Sequence, residues 1–304
     1  MQHYRGSERR RSWISMLRHP VTSESFSLDP SRSGAIRTMN KTGVRVALGD
    51  IVESFSKWRV ALIFGWQDIA QRYRRSRLGA LWLTMSMLVF IAAIGTVFGA
   101  LFRTSMSEFL PYLCVSIIIW NFLSMTLNEG CNAFVLSEGL ILQVRMPLFM
   151  HIMRLMWRNI IILAHNIIIY PLVILTMGGS MDWTAILALP GLVLLCLNLT
   201  WMSLCFALIC TRFRDMTQVV TNLLQVMFYF TPVMWMTKTL PDRVPDLMFQ
   251  LNPLYHFLQL IRAPLLGQYP DPLSWIIALG IAIAGWIAAI VFFGNYRWRV
   301  AYWL

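Results

Sequence analysis

The sequence has few charged side chains, and its longest apolar runs have none. Only 13% of the 304 residues are charged, whereas 57% are hydrophobic. Each run has roughly the 17–25 residues with which a helix crosses a hydrocarbon core, the fourth with some excess. A charge near the centre of such a helix costs about 2.5–3.5 kcal/mol. The pattern therefore predicts an all-α integral membrane protein with six transmembrane helices, in the runs 78–102, 109–127, 160–177, 183–210, 216–236 and 275–293.

Acidic residues are also scarce, with 14 Asp and Glu against 26 Lys and Arg and a net charge of +12. Given six spans, 22 of the 26 basic residues fall on the side of the N-terminus. The positive-inside rule then places both termini in the cytoplasm. Basic residues that flank spans usually meet anionic headgroups, so membrane lipids are expected partners and nucleic acid is not.

Motifs for energy conversion and for catalysis are missing. The chain has no GxxxxGKS or GxxxxGKT loop to hold ATP, and no GxSxG, HExxH or clustered carboxylates. Its spans lack the Asp, Glu and Lys residues that carry ions in secondary transporters. The five cysteines form no CxxC pair, so neither a metal nor a disulfide framework is expected. The sequence predicts a non-catalytic transport subunit without a cofactor; a membrane-embedded enzyme or scaffold of envelope glycan synthesis is the alternative.

Polar and amphipathic segments precede the spans, and no signal peptide is expected there. Residues 1–45, rich in Ser and Arg, predict a flexible basic cytoplasmic tail. Residues 46–77 predict an amphipathic helix in the membrane interface, because apolar residues recur at steps of three and four and include two Trp. The stripe consists of Ile51, Phe55, Trp58, Leu62, Trp66, Ile69 and Tyr73. Residues 78–304 then form the six-span domain.

The long segment 237–274, between the last two runs, predicts short re-entrant helices at the outer face. It is too long for a tight hairpin, and Pro253 and Pro264 interrupt its semi-apolar part.

Four motifs, in order between about residue 48 and residue 304, are similar to those of one family. WQDIAQRYRRSRLGALW at 66–82 resembles the RDLKxRYRxSxLGxxW entry to the first span of type-2 ABC export permeases. RFRD at 212–215 and FTPV at 230–233 resemble the two ends of their fifth span. LNPLYH at 251–256, with RAPLLG at 262–267, resembles the outer segment of the polysaccharide exporters, and YRWRVAYWL at 296–304 resembles their basic ending.

The resemblance implies a subunit of the bacterial inner membrane that forms a homodimer. It would bind two copies of a separate ATP-binding subunit, which carries ATP and Mg. Its substrate would be a lipid-linked polysaccharide, with lipopolysaccharide O-antigen favoured over capsular polysaccharide or teichoic acid. The matching outer residues are Asn252, Pro253, Tyr255, His256 and Arg262.

The resemblance also gives roles to cytoplasmic segments. In the family, a short helix between the second and third spans docks into the ATPase. Residues 137–146 occupy that place here, and Gly139 and Pro147 bracket the short helix expected within them. The coupling residues would be Glu138, Leu140, Ile141, Leu142, Gln143 and Arg145.

The start of the first span and both ends of the fifth carry further candidate residues. Arginines before the first span are predicted to face phosphates at a cytoplasmic entrance: Arg72, Arg74, Arg75 and Arg77. At the start of the fifth span, Asp215 is predicted to cap the helix beside Arg214, and Thr231 and Pro232 close the same span.

Aromatic residues in the spans are candidates for a glycan channel. Their flat faces stack on the apolar faces of sugar rings without reading the hydroxyl groups. For each ring, lipid contact or core packing is the alternative. The candidates are Trp82, Phe90, Phe98, Trp120, Phe122, Phe228, Tyr229 and Phe230.

Overall fold

A computed structural model describes residues 30–74, 79, 81–102, 104–236 and 247–304, with side chains from Gly43 onwards except at 247 and 248. The chain divides into two units, Met1–Met39 and Asn40–Leu304, and every site described below lies in the second. The described residues form helices and turns without a strand. The prediction of an all-α fold is confirmed.

The helices are numbered in chain order. The first seven are α1 (Pro30–Ser56), α2 (Trp58–Tyr73), α3 (Leu81–Phe102), α4 (Met106–Cys131), α5 (Glu138–Gln143), α6 (Phe149–Ile167) and α7 (Ile169–Met177). The others are α8 (Ala188–Arg212), α9 (Met216–Phe230), α10 (Leu247–Gln250), α11 (Pro253–Leu265), α12 (Pro272–Tyr296) and α13 (Val300–Trp303). Short 3-10 turns precede α5, α8 and α13, at Val135–Ser137, Trp183–Leu187 and Arg297–Arg299.

Among the described residues, five helical segments are long and apolar enough to cross a membrane, and they correspond to five of the six predicted spans. They are Leu81–Phe102, Met106–Cys131, Phe149–Met177, Trp183–Arg212 and Pro272–Trp303.

The predicted fifth span, 216–236, differs from the other five. Its helix, α9, ends at Phe230 after 15 residues. At 1.5 Å per residue α9 is about 22 Å long, less than the hydrocarbon core of about 30 Å. The helix ends here because Thr231 precedes a proline and takes an extended conformation. The structure thus shows a shorter helix than the apolar run predicts.

The segment before the first span also differs from the predicted tail and single helix. Residues 1–29 lie outside the described part of the chain, whereas residues 30–45 are helical and belong to α1. The helix predicted for 46–77 is divided at Lys57, where α1 gives way to α2. Residues 75–78, at its end, are outside the described range.

The helix α2 lies against α6 through small residues. A Cβ atom at Gly65 would lie 3.0 Å from the carbonyl oxygen of Arg154, so the two backbones approach closely. Trp58 and Trp66 on the predicted stripe are 47% and 59% exposed. The helix therefore buries Ala61 and Gly65 against its neighbour and leaves two indole rings exposed.

The helix α4 is the centre of the structure and packs on α3, α6, α7, α8, α9 and α11. Its neighbour α3 buries only Ile91, Gly95 and Gly99, which recur every four residues on one face. The two glycines lie against Leu110 and Met106 of α4. Because lipid tails are as apolar as Leu, such close approach by small residues is what holds membrane helices together.

Candidate functional site

A groove of about 540 Å³ lies between α3, α4 and α9. Its lining combines aromatic rings with hydroxyl and amide groups. Trp120 of α4 and Phe228 of α9 pack together there, with ring centroids 5.5 Å apart. The polar lining residues include Asn121, Ser124, Asn128, Thr221 and Gln225.

Polar side chains follow the faces of α4 and α9 that border this groove. The Thr221 hydroxyl donates a hydrogen bond of 2.8 Å to the Asn128 side-chain oxygen and so joins the two helices. One turn away on α9, the Gln218 amide donates to Asn222 at 2.8 Å, and Gln225 is exposed. An exposed amide is costly in hydrocarbon. This face of α9 therefore requires water, a polar ligand or another protein surface beside it.

The predicted channel aromatics fall into three groups. Those that line the groove are Phe90, Trp120 and Phe228. Two others pack against neighbouring side chains and do not line the groove: Phe122 is 3% exposed, and Phe98 lies on Phe102 with ring centroids 5.7 Å apart. Those that are exposed outside the groove are Trp82, Tyr229 and Phe230. The structure brings three of the eight together and places Phe122 in the core.

An ionic cluster joins α2, α4 and α6. The Arg154 guanidinium donates two hydrogen bonds to Asp68, one of them 2.8 Å long from Nε. Arg158 lies between the two acids, 3.3 Å from Asp68 and 2.6 Å from Glu129. Arg72 completes the cluster at 3.9 Å from Glu129. Partly buried arginines of a membrane helix are thereby neutralised by acids from two other helices.

The predicted entrance arginines do not share one environment. Arg72 belongs to the ionic cluster, whereas Arg74 is exposed and forms the C-cap of α2. Arg75 and Arg77 lie outside the described residues.

The predicted coupling segment contains a helix, α5, preceded by a 3-10 turn. Apolar side chains here are partly uncovered: Leu142 of α5 is 55% exposed, and Leu136, just before the predicted segment, is 78% exposed. Ile141, by contrast, packs against the core. The polar residues of this segment are half-buried Glu138 and exposed Gln143 and Arg145, and Leu140 is half-buried. The segment therefore presents an apolar surface without a partner inside the described chain.

Asp50 of α1 anchors the chain just after this coupling segment. Its buried carboxylate accepts hydrogen bonds from the backbone N–H groups of Leu148 and Phe149, 3.1 and 2.9 Å long, at the start of α6. It also pairs with Arg297 after α12. Burial raises the pKa of the Asp50 carboxyl, and the Phe149 N–H and the Arg297 guanidinium oppose that rise. One side chain thus caps α6 from another helix and ties both to the C-terminal segment.

The predicted outer segment forms a network at the start of α4. The Asn252 side chain caps α11 by accepting from the Leu254 N–H, and its amide donates to the Thr231 hydroxyl at 2.8 Å. Pro253 occupies the first turn of α11, where its missing N–H has no cost.

Arg262 is the centre of that network and is 3% exposed. It donates to the Tyr112 hydroxyl at 2.7 Å, to Ser116 at 3.2 Å and to the carbonyl oxygen of Pro232. His256 lies 2.9 Å from the Ser274 hydroxyl and contacts the Tyr255 ring. The outer segment and the Thr231–Pro232 pair, far apart in the sequence, are therefore brought together.

The other end of the fifth-span element departs from the prediction. Asp215 precedes α9, but its side chain makes no capping hydrogen bond. Its backbone is in the helical region, with φ −66° and ψ −25°, rather than in the extended region that a capping side chain needs. Both Asp215 and Arg214 are exposed. The predicted cap is wrong, and only the attraction of the carboxylate to the helix dipole is left.

The described residues contain no group of three His, Cys, Asp or Glu placed to hold a metal ion.

The sequence model of a family described as ABC-2 type transporter matches residues 60–266, more than half of the chain. This chain belongs to the ABC-2 type transporter family. The matched region of the transporter includes the groove, the ionic cluster, α5 and the Arg262 network, whereas α12 and α13 lie beyond it.

Two relatives of this ABC-2 chain have the same name, O-antigen export system permease protein RfbA. The protein from Myxococcus xanthus is 27% identical over 238 residues, which are 74% of this chain and 88% of the relative. The protein from Klebsiella pneumoniae is 22% identical over 180 residues, which are 58% of this chain and 69% of the relative.

Two features of this transporter were missed in the sequence. The amides of the groove carried a signal, because Asn121, Ser124 and Asn128 recur at helical steps within an apolar run. The ionic cluster carried a weaker one: Arg154 and Arg158 are one turn apart, but their partner Asp68 is 86 and 90 residues away in the chain.

Proposed function

We propose that this chain is the permease subunit of an ABC transporter that exports a lipid-linked polysaccharide, lipopolysaccharide O-antigen, across the bacterial inner membrane. The observation that carries the proposal is the groove in which aromatic rings alternate with amides. Rings such as Phe90 stack on sugar faces, and amides such as Gln225 take the place of water at sugar hydroxyls. A glycan then slides without being held tightly. The printed names of the two relatives support the same substrate.

ATP hydrolysis belongs, in this proposal, to two copies of a separate ATP-binding subunit. The exposed Leu142 of α5 and the exposed Leu136 of the turn before it are suited to a protein contact, since an uncovered apolar surface marks an interaction site. Movement of that subunit would be transmitted through α5 and Asp50 to the start of α6.

The permease acts as a homodimer in this proposal. The exposed face of α9 carries Val219, Leu223 and Val226 beside the amide of Gln225. A second copy facing α9 would cover the apolar residues and close the half-open groove into an enclosed path for the glycan.

The chain crosses the membrane six times in this proposal, with both termini in the cytoplasm. The short α9 starts four residues after α8 ends. The segment after α9 reaches the start of α4, where the Tyr112 hydroxyl lies within hydrogen-bond distance of the carbonyl oxygens of Pro232 and Trp235, at 2.9 and 3.0 Å. The helix and this irregular segment together would complete the crossing, because non-helical backbone is tolerated where protein surrounds it.

Export by groove variants tests the function. The variants Asn121→Leu and Gln225→Leu, combined, replace two groove amides by apolar groups of similar size. Each lost polar contact of about 1.4 kcal/mol corresponds to a tenfold change in rate, so surface polysaccharide should fall at least about tenfold in a host whose own permease is deleted. The control Gln250→Leu removes an exposed amide outside the groove and should export normally. Normal export by the double variant, at equal membrane levels, would contradict the proposal.

A further inference from the structure

A second groove, of about 430 Å³, lies where the end of α8 meets the C-terminal segment. It shares no residue with the groove between α3, α4 and α9. Its lining consists of Arg212, Trp298, Arg299, Tyr302 and Trp303. Two guanidinium groups and three aromatic rings thus line one shallow surface.

Both guanidinium groups lie within cation–π distance of aromatic rings. Arg212 lies 5.6 Å from the centroid of Phe213 and 5.8 Å from that of Trp303. Arg299 lies 4.8 Å from the centroid of Trp298. Cation–π attraction to the rings uses no N–H hydrogen bond, so the five N–H donors of each guanidinium are still available to bind planar or tetrahedral anions.

Neither guanidinium has a hydrogen-bond or ion-pair partner among the residues that the structure describes. The neighbouring Arg297 is different, because it pairs with Asp50. The C-terminal end of α8 carries partial negative charge, so a single guanidinium would be largely offset there. Two unpaired guanidinium groups give the groove a net attraction for an anion.

The position of the groove points to a ligand in the membrane surface. Arg212 ends one membrane-spanning segment, and Trp303 ends another. Trp298 and Tyr302 are 69% and 86% exposed. Exposed Trp and Tyr side chains at the ends of spans lie at the level of lipid headgroups, where phosphate groups are found.

We propose that this groove binds the phosphate group of an amphiphile in the membrane surface. The N–H edges of Arg212 and Arg299 hold the phosphate oxygens by charge-assisted hydrogen bonds. The rings of Trp298 and Tyr302 lie against the adjoining apolar part of the ligand. The phosphate comes either from an anionic phospholipid or from the pyrophosphate of an isoprenyl carrier. The site does not depend on which polysaccharide the chain exports.

Binding to the full-length protein in detergent tests the proposal. Phosphatidylglycerol and farnesyl pyrophosphate are titrated separately, with the zwitterionic lipid phosphatidylcholine as the reference, and bound ligand is counted by native mass spectrometry. The double variant Arg212→Gln/Arg299→Gln should bind the phosphate ligand about a hundredfold more weakly, about tenfold for each charge-assisted contact. The control Arg59→Gln removes another exposed arginine stacked on a Trp, outside the groove, and should bind like the wild type.

The outcomes separate the two sources of phosphate. Arginine-dependent binding of phosphatidylglycerol identifies a phospholipid site, and arginine-dependent binding of farnesyl pyrophosphate alone identifies a carrier site. If arginine dependence is missing for both ligands, so that the double variant binds each of them as well as Arg59→Gln does, or if phosphatidylcholine binds as tightly, the proposal is wrong. Should the double variant not fold, Arg299→Gln alone decides, because Arg299 is exposed and its removal leaves no buried group unpaired.

Discussion

At the scale of single residues, Asp50 has the largest predicted effect on stability. Replacing it by Ala removes the acceptor for two backbone N–H groups of α6 and leaves Arg297 without its partner. Loss of a helix cap costs about 0.5–2 kcal/mol, and the broken ion pair adds to it. We expect Asp50→Ala to lower the melting temperature in detergent clearly. Asp50→Asn keeps one acceptor, so its melting temperature should lie between those of the wild type and Asp50→Ala. Equal melting temperatures of Asp50→Ala and the wild type would exclude the anchoring role.

Substitutions of Asp215, in contrast to those of Asp50, should have only small effects on stability. Its carboxylate makes no capping bond, so Ala and Asn both remove only its charge near the start of α9. That charge contributes about 0.3–1 kcal/mol. Asp215→Ala and Asp215→Asn should therefore destabilise the protein equally and slightly, measured by thermal unfolding at low salt. A clearly milder effect of Asn would mean that the side chain caps the helix after all.

At the scale of secondary-structure elements, α5 offers a comparison between two adjacent residues. Leu142 is exposed, whereas Ile141 packs on the core. Leu142→Asp should leave folding unchanged but abolish co-purification of the ATP-binding subunit, since an unpaired charge in the contact costs several kcal/mol. Ile141→Asp should instead unfold the segment and lower the yield of protein. Retained co-purification of Leu142→Asp would remove α5 from the coupling surface.

The sequence was sufficient to predict those membrane helices that are identified by their length and composition alone. A run such as 275–293 is long, apolar and uncharged, and no alternative to a membrane helix competes with it. The ends and breaks of other helices depend on local backbone geometry. α9 stops at Thr231 because of the following proline, and the helix before the first span breaks at Lys57, where the apolar stripe continues without interruption. The groove could not be predicted in full, because the buried Phe122 and the exposed Phe90, which lines the groove, are alike in sequence and differ only in packing.

At the scale of the whole molecule, the boundary between the two units predicts how much of the N-terminus can be removed. Deletion of residues 1–39 leaves the unit Asn40–Leu304 intact and should not change membrane insertion or the melting temperature. Deletion of residues 1–50 also removes Gly43, which lies against Gly294, and Asp50. The longer deletion should lower the melting temperature at least as much as Asp50→Ala. Equal stability of the two truncated proteins would show that α1 is not part of the folded unit.

The ionic cluster has a consequence for biogenesis. Arg154 and Arg158 lie in α6 just before the apolar run 160–177, so this helix brings two positive charges to the membrane surface. Their acidic partners, Asp68 and Glu129, are both earlier in the chain. During synthesis from the N-terminus, α2 and α4 are therefore already at the membrane when α6 leaves the ribosome. The arginines can therefore pair with Asp68 and Glu129 as soon as α6 reaches the membrane. The order of these helices in the sequence is then also the order in which they assemble.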